Sequence, residues 1–185
     1  MQHLKPLPGS EIAKKNSSIV PKNGDIRRVL GIDPGIASTG WAVVDFYKNR
    51  YACIAYGVIE TKPSQIHGER LLMIFDKIEE IIQSYKPREA AMETLYFSKN
   101  VSSAMKVSEA RGVVHLCLSK NHLICGEYTP LIIKKTITGS QKAKKTDIQD
   151  YLKLLLGLQE KIEPDHASDA LACAITHLHS GFSIH

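Results

Sequence analysis

The chain contains no run of 18 consecutive apolar residues, no internal repeat and no Cys-x-x-Cys pair. The first absence argues against a transmembrane helix, which needs about 20 predominantly apolar residues. The opening residues also lack the apolar stretch of a secretion signal, so a soluble, cytoplasmic protein is expected. Cys53, Cys117, Cys125 and Cys173 stand far apart, a spacing that suits reduced thiols better than a disulfide framework or a zinc site. Net charge is scarcer than the overall +5 suggests, because positions 1–28 hold six basic against two acidic residues and leave the remainder almost neutral. A generally basic, nucleic-acid-coating protein is therefore not indicated. Acidic residues are missing altogether between Thr129 and Thr146, where five lysines fall (Lys134, Lys135, Lys142, Lys144, Lys145). A local cationic patch of that kind suits a polyanion.

With 185 residues, 43% of them hydrophobic, the chain is long enough for one domain with a sizeable core. Positions 1–26 mix Pro, Ser, Lys, Asn and Gly without periodicity, the composition of a disordered basic tail, and the domain is expected over 27–182. Apolar runs bounded by turn signals predict strands at 28–33, 40–46 and 51–60, joined closely enough to form an antiparallel meander. Leu71, Ile74, Ile78, Ile81, Ile82 and Tyr85 recur at helical spacing and predict a helix over 71–85, ended by Lys86-Pro87. A strand at 89–92 follows that crossover and can lie parallel to the first. A helix over 101–118, a strand over 123–128 and helices over 147–156 and 166–178 complete the order. The expected fold is α/β: a mixed five-stranded sheet, three antiparallel strands followed by parallel ones, flanked by helices.

Four residues stand out on this frame. Asp33 and Glu93 end predicted strands, while His166 and Asp169 lie three residues apart in the first turn of the last helix. Each alone has an ordinary explanation: an Asp-Pro-Gly turn, a solvated strand end, helix-start residues behind an Asp165 N-cap. Ligands of such sheets gather beyond the carboxyl ends of the parallel strands, where all four would converge. Carboxylates gathered there suit Mg²⁺ or Mn²⁺ held against a phosphodiester.

The order of motifs resembles the bacterial crossover-junction endonucleases of the RuvC type, Holliday junction resolvases of the ribonuclease H-like superfamily. It rests on Gly31-Ile32-Asp33-Pro34-Gly35, Thr39-Gly40, Glu93 with Lys99-Asn100 behind it, Ala110-Arg111-Gly112, and Asp169-Ala170-Leu171-Ala172 running on to Ala174-Ile175-Thr176-His177. It spans about Arg28 to His179. The resemblance implies a catalytic, metal-binding set of Asp33, Glu93, His166 and Asp169, with Asp165 as the alternative to His166, where many members carry Asp. It further implies two Mg²⁺ ions, with Mn²⁺ able to substitute, paired symmetric nicks leaving 5′ phosphates, and a role in recombination and repair. The implied partners are four-way junction DNA, a second copy of the chain in a homodimer, and the branch-migration complex RuvA–RuvB. Tyr96 is expected to stack on an unpaired base, with Phe97 in the core. Lys134 and Lys145, on a segment that Gly139 and Ser140 suggest is a flexible loop, are expected at the DNA backbone. Ala104, Ser108 and Gly112 at spacing four offer one possible dimer seam.

Three alternatives compete. The Gly31–Gly40 segment also looks like the first phosphate loop of actin-like and sugar-kinase ATPases, but those need two such domains and 185 residues are too few. An inert nucleic-acid binding module would have lost ligands, whereas all four positions are filled. A resolvase-related RNA-processing nuclease is disfavoured by the 96–100 segment and the lysine cluster.

Overall fold

Alternation along two short strands determines which residues meet. In the computed structural model, which describes residues 26–94 and 101–180, β1 (Arg27–Asp33) pairs antiparallel with β2 (Ser38–Tyr47) and parallel with β4 (Glu89–Glu93). Successive side chains of a strand point to opposite faces. Leu30 and Ile32 of β1 and Ala90 and Met92 of β4 therefore enter one core, while Val29 and Ala91 enter the other. The second face also receives Arg27, Asp33, Glu89 and Glu93, two charged residues at each end of the strands.

The sheet order is β3-β2-β1-β4-β5, with β3 spanning Arg50–Glu60 and β5 Ile124–Tyr128. β2 and β3 are antiparallel, β4 and β5 parallel, as the strand order predicts. Lys48 and Asn49 join β2 to β3 with positive φ at both positions (48° and 59°), the conformation that a two-residue hairpin turn requires.

Helices α1 (His67–Tyr85) and α2 (Val101–Lys120) cover the Leu30–Ile32 face. α1 begins one turn earlier than the isoleucine periodicity indicates, and Lys86 closes it in the left-handed conformation, its N–H bonded to the Ile82 carbonyl. On α2, Ala104 is buried, whereas Met105, Ser108, Gly112 and Leu116 face outward. The small-residue strip is therefore displaced from its expected line by one residue at its first turn.

The opposite face carries α3 (Pro130–Thr138), α4 (Lys145–Leu156) and α5 (Asp165–His179). Helix α3 replaces the expected flexible loop. Thr129 caps it by accepting from the Ile132 N–H, Pro130 occupies the first turn, and Ile133 and Ile137 bury one face. Gly139, at φ 77°, terminates that helix. Helix α5 is buried on nearly every side from Ala167 to Leu178, between the sheet and the α3–α4 layer. Its start also differs from expectation: Pro164 is the N-cap and Asp165 the first helical residue. All four cysteines are free. Among the described residues no helix is long and apolar enough to cross a membrane.

Candidate active site

Two glycines decide how closely α5 lies on the sheet. A Cβ at Gly31 would stand 1.9 Å from the Ala170 carbonyl oxygen, and one at Gly40 would stand 1.9 Å from that of His166. Only residues without a side chain fit, and the helix settles almost onto the backbone of β1 and β2. Its first turn then arrives beside the carboxyl ends of β1 and β4. The turn after Asp33 is closed by buried Thr39, whose hydroxyl donates to the Gly35 carbonyl (2.7 Å) and accepts from the Gly35 N–H (3.3 Å).

The result is a cluster. His166 Nδ1 lies 2.7 Å from Asp33 Oδ2, and one potential ligand atom from each of Asp33, His166 and Asp169 falls within 4.8 Å of the others. Imidazole and carboxylate at this separation can share either a proton or a cation. Asp165 turns instead to α4, where Gln149 donates to it at 2.9 Å and Lys145 Nζ stands 3.4 Å away. Lys145 pairs more closely with Asp169, at 2.8 Å.

Glu93, at the end of the strand next to that of Asp33, lines a cleft of about 260 Å³ beside this cluster. Asp169, Lys134 and Lys145 line the cleft with it, above an apolar wall of Pro130, Ile133, Ile148 and Ala172. Burial, and then the negative charges of Asp33 and Asp169, push the Glu93 carboxyl up to about 7, against the pull of Lys145 and Lys134. Burial likewise raises Asp169, opposed chiefly by Lys145. For Lys145 burial pulls the ammonium down, but its hydrogen bond to Asp169 and the attraction of Asp169 and Asp165 outweigh it. The site is thus a place where negative charge is concentrated and incompletely balanced by the chain itself. Hard oxygen donors, one borderline nitrogen and surplus negative charge fit a divalent cation.

Of the residues singled out in the sequence, Asp33, His166 and Asp169 form one cluster and Glu93, Lys134 and Lys145 share its cleft. Tyr96 and Phe97 lie outside the described residues. Lys134 sits on a helix, not a loop, which fixes its direction toward the cleft. The roles of Gly31 and Gly40 were hidden in the sequence, although Gly-Ile-Asp and Thr-Gly placed both glycines beside the candidate residues.

Comparison with known proteins bears on this geometry. The family model described as "Crossover junction endodeoxyribonuclease RuvC" matches residues 29–177. A protein of that name from Treponema denticola is 55% identical over 153 residues, covering 83% of this chain and 86% of the relative. Its namesake in Treponema pallidum is 44% identical over 166 residues, covering 89% and 85%. Among solved structures, RuvC from Thermus thermophilus superposes with a TM-score of 0.76 at 30% identity, covering 82% of this chain and 93% of that one. The same protein in complex with a Holliday junction substrate gives 0.75 at 29% identity, covering 82% and 92%.

Proposed function

Because the chain belongs to the RuvC family of crossover junction endodeoxyribonucleases, we propose that the cleft at the head of α5 is where it cuts four-way DNA junctions, with Asp33, Glu93, His166 and Asp169 as the metal-binding catalytic set. The enzyme is a Holliday junction resolvase acting in recombination and repair. The observation that carries the site assignment is the meeting of Asp33, His166 and Asp169 within 4.8 Å, beside a cleft that Glu93 and two lysines line.

Asp33, Glu93, His166 and Asp169 would hold two Mg²⁺ ions, with Mn²⁺ able to substitute, and the bound metal would supply water activation and charge stabilisation at the leaving 3′ oxygen, the chemistry of a nick that ends in a 5′ phosphate. The protein's own part is positional and electrostatic. Asp33 and Glu93, fixed at the ends of neighbouring parallel strands, present carboxylates from the sheet. From the facing helix His166 presents an imidazole nitrogen and Asp169 a carboxylate. Lys134 and Lys145 compensate phosphate charge along the cleft and add affinity without reading sequence. Tyr96, three residues beyond Glu93, is assigned the stacking role at the opened junction centre.

A junction with approximate two-fold symmetry calls for two opposed active sites, which an isologous homodimer provides. The outward face of α2 suits that role. Met105 and Leu116 are 62% and 64% exposed there, and a Cβ built at Gly112 meets nothing within 4 Å. We assign the nuclease domain to 27–182, which contains the matched 29–177, and infer a cytoplasmic enzyme that works with RuvA–RuvB.

The test uses chelator-treated protein on a four-way junction, a linear duplex and an RNA–DNA hybrid, each with and without added Mg²⁺ or Mn²⁺. Paired nicks on the junction alone, only with metal, are expected. Preferential cutting of the hybrid would favour the RNA-processing alternative. Junction binding with no cleavage under any metal would favour an inert module.

A further inference from the structure

Two members of the catalytic set, Asp33 and Glu93, are mounted on strand ends, and something must hold those ends still. Glu93 is the last residue of β4, and its carboxylate makes no hydrogen bond among the described residues. Its position therefore depends on its backbone. That backbone is gripped from the α1–α2 side of the sheet. Arg111 of α2 donates through Nη1 to the Glu93 carbonyl oxygen at 2.5 Å, while its Nη2 lies 2.5 Å from Glu127 Oε2 on the neighbouring strand β5. The guanidinium is nearly enclosed, with 11% of its side chain exposed. Glu127 also lies 3.1 Å from His115 Nε2, on α2 one turn further along.

Arg111 thus spans two acceptors, a main-chain oxygen at the end of β4 and a side-chain carboxylate on β5, as a planar fork with fixed donor directions can. Lysine, a single point donor, cannot hold both in the same way. The Ala110-Arg111-Gly112 motif consequently has three directions: Ala110 enters the core, Arg111 reaches the strand end, and Gly112 faces outward.

A second arginine acts similarly on the connection that follows β1, further from the ligand. Arg70 of α1 donates to the Thr61 hydroxyl (2.8 Å) and the Ile36 carbonyl (3.3 Å), and Thr61 in turn bonds the backbone of Ile36 and Ala37. Ile36 lies three residues beyond Asp33. The direct contact to a ligand-bearing residue is that of Arg111.

We propose that Arg111 is a positioning residue of the nuclease: it holds the backbone of Glu93 from behind the sheet, with Glu127 as its counter-anchor, and so sets where the Glu93 carboxylate meets the metal. The proposal rests on the catalytic reading given above. Outer-shell partners of metal ligands typically contribute 10- to 100-fold in metal affinity or activity.

The experiment is calorimetric titration of Mn²⁺ into the chelator-treated full chain, without DNA, for wild type, Arg111→Met, Arg111→Lys and Glu127→Gln. It is paired with metal-free junction binding and single-turnover cleavage. Arg111→Met should bind Mn²⁺ about 10-fold more weakly or worse and cleave correspondingly slowly, with part of the rate recovered at high Mn²⁺. Its junction affinity should stay within roughly twofold, since phosphate contacts lie elsewhere. Arg111→Lys should fall between wild type and Arg111→Met, and Glu127→Gln should give a smaller loss of the same sign. A purely structural arginine would lower the melting temperature while leaving Mn²⁺ affinity and cleavage per folded molecule unchanged, and that result overturns the proposal. Should Arg111→Met not fold, Glu127→Gln decides, because unaltered Mn²⁺ affinity in that variant equally overturns it. Failure of wild type to bind Mn²⁺ would instead strike at the metal-site reading itself.

Discussion

At each end of helix α5 a histidine of the helix pairs with a carboxylate of the sheet, and the two pairs live in different surroundings. At its start His166 lies 2.7 Å from Asp33, with side chains 50% and 25% exposed. Near its end His177 lies 2.9 Å from Glu89, with side chains 1% and 10% exposed. The buried pair is closed off by further partners. Arg27 holds both Glu89 oxygens, at 3.0 and 2.7 Å, and Tyr128 Oη reaches His177 Nδ1 at 2.8 Å. Burial pushes Glu89 up, but the hydrogen bonds from Arg27 and His177 more than offset it and the carboxyl ends below its ordinary value. At the other end Glu93 and Asp169 are raised, because burial and neighbouring carboxylates act together. Similar chemical groups at the two ends of one helix thus make a balanced structural network at one end and an unbalanced acidic site at the other. The missing countercharge is what separates function from structure here.

Four experiments sharpen or break this contrast, beginning with the largest effect. Asp33→Asn should reduce single-turnover junction cleavage by about 10³-fold, the scale on which removing one electrostatic group from a transition state acts. Metal-free junction binding, read in a gel, should persist and the melting temperature should hardly move. Substantial residual nicking by the pure variant would break the assignment.

Glu89→Gln should do the reverse, leaving cleavage per folded molecule intact while destabilising the fold. The loss should be about 2 to 3 kcal/mol, below that of a fully buried pair, because the Arg27 side chain keeps 32% of its exposure. For a chain of this size the melting temperature should drop by roughly 5 to 10 °C.

The two ends should also respond to pH with opposite sign. Glu93 holds its proton more tightly folded than unfolded, so between its ordinary 4.5 and about 7 the folded state binds more protons and loses stability as pH rises. Glu89 is lowered, so its contribution is present above the ordinary carboxylate value and is lost as pH falls through its folded value. His177 is lowered by burial, and stability falls as pH drops below 6.5, where the unfolded chain takes up the proton. Denaturant unfolding of chelator-treated protein should therefore show Glu93→Gln gaining on wild type from pH 4.5 toward 7, and Glu89→Gln losing ground over the acidic range where Glu89 ionises. A gap independent of pH would remove the charge-crowding argument.

The smallest expected change is at the rim. Replacing Lys134 and Lys145 together with Ala should lower the slope of log affinity against log salt by up to about 2, with sequence preference kept. An unchanged slope would leave these lysines as a solvated face.

Much of this was legible beforehand. Asp33 and Glu93 were readable as the ends of strands at the carboxyl edge of the sheet, and the three-residue spacing of His166 and Asp169 put both on one helical turn. Helix α3 was not legible as a helix because only Ile133 and Ile137 bury it and its lysines resemble a solvated stretch. Its Thr-Pro start and Gly stop were present in the sequence but were outweighed by that composition. The buried end of α5 was hidden for a different reason. Nothing local to Glu89 at a strand start or His177 near a helix end marks them as a buried pair, and their partners Arg27 and Tyr128 are 62 and 49 residues away in sequence. Nor does local spacing reveal that Gly31, Gly40 and Gly126 are the points where α5 approaches the sheet, since a Cβ at each would collide with that helix.

The central claim, that the start of α5 is built to hold a divalent cation and its end is not, is tested most directly by calorimetric titration of Mn²⁺ into chelator-treated wild type, His166→Ala and Glu89→Gln at pH 7.5. The account predicts saturable binding by wild type, binding of the same affinity by folded Glu89→Gln, and binding weakened by at least about 10-fold in His166→Ala. Equal Mn²⁺ affinity in wild type and His166→Ala would contradict it.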